Sequence, residues 1–211
     1  MYFVKAPWLL KKIYTRYLWD LPASKKKIFL TFDDGPHPVA TPFVLEQLRS
    51  WNAKATFFCV GKNVVTEAAL YQTLQNEGHR IGNHTFTHLN GWKADTPIYL
   101  DNVLQAAKHI DSELFRPPYG RIKKQQGRLL QEGALGRKFR VIMWDVLSGD
   151  FDRSLAPEKC LNHVLKYTRD GSIVVFHDSE KAFKNLSFAL PRMLEYFSGQ
   201  GFTFDSLPES P

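Results

Sequence analysis

The stretch Ile28-Phe29-Leu30-Thr31-Phe32-Asp33-Asp34-Gly35-Pro36 decides how the rest of the chain reads. Its aliphatic, aromatic and β-branched residues from Ile28 to Phe32 favour an extended strand. Gly35 and Pro36 then force a turn, which leaves two adjacent carboxylates at the C-terminal edge of that strand. Successive strand residues point to opposite faces, so Asp33 and Asp34 can take different tasks, one at a metal and the other at a water or substrate.

The same pattern recurs along the chain. Thr56 to Val60, Arg80 to Asn83, Leu114 to Arg116, Val141 to Trp144, Ile173 to Phe176 and Phe202 to Phe204 read as further strands. Between them, Thr41 to Ser50, Asn63 to Asn76, Pro97 to Ser112, Lys123 to Glu132, Pro157 to Thr168 and Phe183 to Ser198 read as helices. Alternation of this kind builds βα units around a mostly parallel sheet, so the expected fold class is α/β, a barrel of βα units. Chemistry in such a barrel gathers at the C-terminal ends of the strands. At 211 residues and 44% hydrophobic, with no internal repeat and no linker, the chain suits one compact domain.

Other motifs fall at the same edge. Gly82-Asn83-His84-Thr85-Phe86-Thr87-His88 places two histidines four residues apart, and on one helical turn these would present two imidazoles to one ion. One carboxylate and two imidazoles suit zinc with a position left for water, and cobalt or another divalent ion fits the same donors. In Arg116-Pro117-Pro118-Tyr119-Gly120 the prolines stiffen the chain, Arg116 is suited to pairing with a carboxylate, and the Tyr119 amide is a free donor. The run from Ile173 to Phe176 delivers His177 in an acid-base position. The segment from Trp144 to Asp152 carries three carboxylates, of which one can orient a histidine or an arginine.

Composition bounds the partners. Lys and Arg number 28 against 21 Asp and Glu, a net charge of +7 that favours an anionic partner. The basic residues are dispersed in small groups outside any nucleic-acid motif, so no nucleic-acid partner is expected. Cys59 and Cys160 lack the spacing of a zinc knuckle or redox pair and read as buried free thiols. No apolar run approaches the ~20 residues of a membrane span, and the start does not read as a cleavable signal. Residues 1–24 read as a basic, aromatic arm packed on or flanking a catalytic domain of residues 25–211. Its Trp8, Tyr14, Tyr17 and Trp19 beside Lys and Arg also suit peripheral contact with a membrane, though packing on the domain's own flank is the favoured reading. A monomer is expected, in the cytoplasm or associated with the cell envelope.

Taken in order, Thr31-Phe-Asp-Asp-Gly-Pro36, His84-Thr-x-x-His88, Arg116-Pro-Pro-Tyr119, the Trp144 to Phe151 segment and Val175-x-His177 resemble the five motifs of the polysaccharide deacetylase family. This family is also called carbohydrate esterase family 4 or the NodB-homology domain. The resemblance runs from Lys25 nearly to the C-terminus and implies a distorted (β/α)7 barrel acting as a metal-dependent hydrolase of the N-acetyl group on an acetylated glycan, peptidoglycan or chitin-like. By the same resemblance Asp34, His84 and His88 would hold the metal, and Asp33 would be the base that takes a proton from the attacking water. The ion and the Tyr119 amide would hold the oxyanion, and His177 would protonate the leaving amine. Arg116 would hold Asp33, Asp150 would tune a neighbour, and Trp144 and Val175 would shape the pocket for the acetyl methyl. One motif departs: Leu147-Ser-Gly-Asp150-Phe151 stands where the family usually has Asp-x-x-Asp-Trp, which bears on substrate more than on activity. The alternatives are a hydrolase of a small amide, ureide or O-acetyl ester using the same site, and a carbohydrate-binding barrel without turnover.

Overall fold

The computed structural model describes residues 2–22 and 25–208. In chain order come α1 (Trp8–Ile13), β1 (Lys27–Asp33), α2 (Ala40–Ser50), β2 (Thr56–Cys59), α3 (Gly61–Thr66), α4 (Ala68–Asn76), β3 (Arg80–Asn83), α5 (Thr96–Ala107) and β4 (Leu114–Phe115). A short turn at Pro118–Gly120 precedes α6 (Lys124–Glu132), β5 (Arg140–Val141), β6 (Val146–Leu147), α7 (Pro157–Tyr167), β7 (Ile173–His177), α8 (Phe183–Gly199) and β8 (Thr203–Asp205). The strands form one parallel sheet in the order β5-β4-β3-β2-β1-β7-β6, with β8 beside the first half of β1. With its helices outside, the sheet curls into a distorted (β/α)7 barrel of one domain.

Side-chain alternation on β1 sorts the two layers. Ile28, Leu30 and Phe32 face the helices, in a buried cluster with Leu48 of α2 and Leu190 and Leu194 of α8. Phe29 faces inward, in a second buried cluster with Phe58 and Ile173 of the flanking strands β2 and β7, Leu114 of the more distant β4, and Ile142 and Leu207. This apolar plug fills the lower barrel. Thr31 and Asp33 follow Phe29 on the same face, so the period of two carries Asp33 to the interior at the C-terminal mouth.

β5 and β6 do not pair with each other, which leaves a seam with two exposed edges. Residues from the first twenty fill it. The Leu18 amide donates to Val141 O (2.9 Å) and the Met143 amide to Leu18 O (2.7 Å), while on the other side the Ala6 amide donates to Asp145 O (2.9 Å) and the Leu147 amide to Val4 O (2.8 Å). Asp145 is buried at this seam and accepts from Lys5 Nζ (2.6 Å), Lys11 Nζ (2.6 Å) and Ser172 Oγ (2.7 Å).

Differences from the sequence reading are local. The helix expected over Asn63 to Asn76 breaks at Glu67 (φ −110°, ψ 44°), one residue after Val64, Val65 and Thr66, three β-branched residues that disfavour continuation. The helix expected to run to Ser112 ends at Ala107. Of the strand expected over Val141 to Trp144 only Val141 is in one, β5, and β6 begins beyond that span at Val146, because the chain leaves β4 and rejoins the sheet beside β7. Both cysteines are buried and free, as the spacing suggested.

Burial alone would raise the Asp145 pKa, but the bonds from Lys11, Lys5 and Ser172 outweigh it and hold the carboxyl below its usual range. Its stabilisation is therefore full above an unfolded pKa of about 3.9 and is lost as pH falls through the lower folded value. Asp145→Ala is expected to cost about 1–3 kcal/mol in urea unfolding at neutral pH and to flatten the acid dependence. Wild-type stability in this variant would refute the seam's contribution.

Candidate active site

Asp33 ends β1 inside the barrel mouth, 4% exposed. Arg116, fully buried just past β4, donates through Nη1 to Asp33 Oδ1 (2.6 Å) and to Thr31 Oγ1 (2.8 Å). Its Nη2 and Nε donate to Met143 O (2.9 Å) and Ile142 O (3.3 Å), and its guanidinium lies 4.1 Å from the centre of the Phe58 ring. A charge this deep survives because it makes four hydrogen bonds and a carboxylate faces it.

Asp34 lies just beyond the strand in the left-handed region, φ 82°, with its carbonyl accepting from Asn63 Nδ2 (2.7 Å). Its Oδ1 is buried with no hydrogen-bond partner, although His88 Nε2 stands 3.1 Å away and His84 Nε2 3.7 Å away. His84 Nδ1 lies 2.7 Å from the Arg116 carbonyl, which can only accept. That nitrogen therefore carries the proton, and the Nε2 lone pair is left facing Asp34. Burial draws the His84 pKa down to about 4, against the opposing field of Asp33, so the ring is a neutral donor at ordinary pH. Burial pushes the Asp34 carboxyl upward, but His88 and then the field of His177 outweigh it and hold Asp34 well below the usual carboxylate range.

Ligand atoms of Asp34, His84 and His88 all lie within 4.8 Å of one another. Donors about 2.0–2.2 Å from a shared zinc stand roughly 3–3.5 Å apart, close to the spacings here. An orphaned carboxylate oxygen facing imidazole lone pairs is the arrangement a divalent cation satisfies, so these residues fit a metal of the zinc type.

The convergence of the two histidines has a different cause from the one the spacing suggested. No helix carries them: the segment is a loop with Thr85 (φ 63°) and His88 (φ 56°) in the left-handed region. Asn83 Oδ1 accepts from the Thr85 amide (2.9 Å), Thr85 Oγ1 from the Leu89 amide (3.0 Å), and Asn102 Oδ1 from the Phe86 and Thr87 amides (3.0 and 3.1 Å). These bonds fold the loop back so that His88 reaches Asp34.

On the opposite side, His177 ends β7 in register with Asp33. Asp150 grips it twice, accepting from His177 Nδ1 (2.7 Å) and from the His177 amide (2.7 Å). Burial disfavours the charged ring, but Asp150 outweighs it and pushes the pKa up to about 9. Phe151 packs edge-on at 5.0 Å from the His177 ring and 5.1 Å from Tyr2, whose hydroxyl donates to Asp152 Oδ2 (3.1 Å). Val175 is buried on the face of β7 that leads to His177, and Leu147 pairs with it. Tyr119 (φ 60°) is exposed with its ring centre 4.5 Å from that of His88, and Trp144 packs half-buried among apolar side chains of the barrel, close to Gly120.

The structure thus brings Asp33, Asp34, His84, His88, Arg116, Asp150 and His177 to one mouth, with Tyr119, Trp144 and Val175 around it. Sequence reading passed over Asn83, Asn102 and Asp178. Asp178 is buried behind the turn, accepting from the Gly35 amide (3.1 Å) and Thr41 Oγ1 (2.5 Å). Burial pushes its pKa up to about 8, against the Thr41 bond and with help from Asp34. Gly35 has no room for a side chain, since a Cβ there would stand 2.0 Å from Asp178 Oδ2. Its position directly after His177 was the available signal for Asp178; the asparagines carried none beyond adjacency.

The family described as polysaccharide deacetylase matches residues 20–135. A peptidoglycan-N-acetylglucosamine deacetylase of Bacillus cereus is 32% identical over 197 residues, 90% of this chain and 91% of the relative. A chitooligosaccharide deacetylase of Azorhizobium caulinodans is 34% identical over 164 residues, 74% of this chain and 75% of the relative. A crystal structure of a peptidoglycan N-acetylglucosamine deacetylase in complex with 4-naphthalen-1-yl-N-oxidanyl-benzamide superposes with a TM-score of 0.85 at 28% identity, covering 96% of this chain and 95% of that one.

Two measurements probe the geometry. Arg116→Met leaves Asp33 buried and unpaired and is expected to cost about 3–5 kcal/mol in denaturant unfolding, with Arg116→Lys recovering only part because it lacks the planar fork; a loss below about 1 kcal/mol would contradict the pairing. In chelator-treated protein, the His177 nitrogen resonances should titrate at about 9. In Asp150→Asn they should titrate at about 6.5 or lower. Since the folded pKa is raised, the stability from this pair is full below about 6.5 and is lost as pH rises through the folded value, a loss absent from Asp150→Asn.

Proposed function

This chain belongs to the polysaccharide deacetylase family, and on that premise we propose that it removes the N-acetyl group from an amino-sugar glycan, a peptidoglycan strand or chitin-like oligosaccharide, with a divalent ion at its site. The observation that carries the reading is the meeting of Asp34, His84 and His88 between two supported pairs, Asp33 with Arg116 and His177 with Asp150. The catalytic unit is residues 25–211, preceded by an arm, residues 1–24, whose Val4, Ala6 and Leu18 complete the seam.

Asp34, His84 and His88 hold the ion, zinc by donor type, with cobalt or another divalent metal as substitute. When bound, such an ion polarises the acetyl carbonyl and favours ionisation of water. Asp33, fixed by Arg116, takes the proton as water adds to the carbonyl carbon. The Tyr119 amide follows two prolines that have no N–H of their own, and it donates to the oxyanion. As the carbon–nitrogen bond breaks, His177 gives its proton to the departing amine, leaving acetate and a free amino group. A pKa of about 9 keeps that proton on the ring at neutral pH until the leaving nitrogen takes it. Trp144 and Val175 wall the space for the acetyl methyl. Leu147 and Phe151 alter that wall relative to the family pattern, which directs attention to the choice of glycan rather than to the chemistry.

The test is acetate release and loss of one acetyl mass unit from N-acetylated peptidoglycan and chitin oligomers. Wild type with zinc or cobalt should be active, and chelator or His88→Ala should abolish turnover. His177→Ala should lower kcat by about 10²–10⁴ while zinc still binds by calorimetry. No acetate from any glycan in the panel with metal present would sink the proposal, and activity on an N-acetyl monomer with no gain on longer oligomers would move the substrate to a small amide.

A further inference from the structure

We propose that residues 3–16 form a docking surface for an anionic lipid bilayer, a property separate from glycan deacetylation. The inner side of α1 is spent on the fold: Leu10 packs against the cluster containing Phe115 and Phe139, and Lys11 reaches buried Asp145. Its outer side is apolar and uncovered. Trp8 is 65% exposed, Leu9 53% and Ile13 54%, and Phe3 in the preceding extended segment is 64% exposed. Single exposed apolar residues are ordinary on any surface, and the other large ones here, such as Val39, Trp92 and Tyr196, are scattered over distant elements. Trp8, Leu9 and Ile13 share the outer face of one short helix, and Phe3 is exposed in the segment that leads into it.

Charge identifies the occupant. Lys12 follows Trp8 at helical spacing on the outer side of α1, its Nζ 4.6 Å over the Trp8 ring, and Arg16 is exposed in the turn just beyond the helix. No acidic residue occurs before Asp20, and the whole chain carries +7. A second copy of this chain would set like charge against like, whereas anionic headgroups pair with Lys12 and Arg16 while Trp8, Leu9, Ile13 and Phe3 enter the boundary between headgroups and acyl chains. Indole and lysine at one level are the side chains that favour such an interface. The six-residue α1 is far too short to cross, so the contact lies in the plane of the surface. Phe3 follows Tyr2, which touches Phe151 beside His177, so the docking surface begins at the rim of the catalytic mouth.

The experiment is co-sedimentation of the full chain with vesicles of phosphatidylcholine alone and of phosphatidylcholine with phosphatidylglycerol. Binding is expected only with phosphatidylglycerol, falling as salt rises. Trp8→Ser with Leu9→Ser and Ile13→Ser should weaken partitioning by about tenfold or more, and Lys12→Glu with Arg16→Glu should abolish the preference for anionic vesicles. Because these side chains face solvent, melting temperature and acetate release from soluble oligosaccharide should not change in either variant, and Trp8→Ser alone gives a milder check on folding. Absence of binding to phosphatidylglycerol vesicles at low salt overturns the proposal. So does equal binding by the triple variant, or a wild type that ignores vesicles but self-associates through this patch. Failure of the deacetylase assay leaves the vesicle result untouched, and the reverse also holds.

Discussion

Arg116 is the residue on which both halves of the site depend. Its guanidinium, sealed in the barrel over the apolar plug, pins Asp33; its backbone carbonyl accepts the His84 proton and turns the free lone pair toward Asp34. One position thus orients the base and sets the tautomer of a metal donor. The cost of burying a full charge is offset by four hydrogen bonds, to Thr31, Asp33, Ile142 and Met143, which tie β1, β4 and the segment after β5 into one rigid block.

Around that block the backbone is held in conformations it would not choose. Asp34, Thr85, His88 and Tyr119 all lie in the left-handed region without being glycine, and Thr85 is β-branched, the costliest type there. Such residues cost on the order of 1 kcal/mol or more each and persist only where neighbours over-determine them. Asn63 does so for Asp34, and Asn83 and Asn102 for the histidine loop. The barrel's bulk stability is in effect spent on aiming these side chains, the usual exchange between packing and pre-organisation.

The sequence made the barrel legible because its strands are delivered by short, nearly continuous apolar runs and its helices by longer amphipathic segments, signals that act over neighbouring residues. The grouping of Asp33, Asp34, Arg116 and His177 at one mouth followed from placing each at a strand's C-terminal end. The two histidines lie together as expected, but for a reason the spacing did not contain: a loop shaped by asparagine side chains, where i,i+4 suggested a helix. Seam closure by Val4, Ala6 and Leu18 was equally invisible, since isolated bridges leave no periodicity and their partners at Val141, Met143, Asp145 and Leu147 are more than a hundred residues away. Asp145, one of three carboxylates on a loop by sequence, is instead the anchor of the arm.

The contact of Tyr2 with Phe151 and Asp152 also decides how the molecule can be handled. Anything joined ahead of Tyr2 emerges beside His177, so an affinity tag or fusion partner there would stand over the entrance and compete with long polymer chains. Pro208 accepts from Arg140 at the start of β5, and β8 runs beside the first half of β1, which places Pro208 at the opposite rim of the barrel. The two segments thus leave the barrel at different faces, and only the one at Tyr2 borders the mouth.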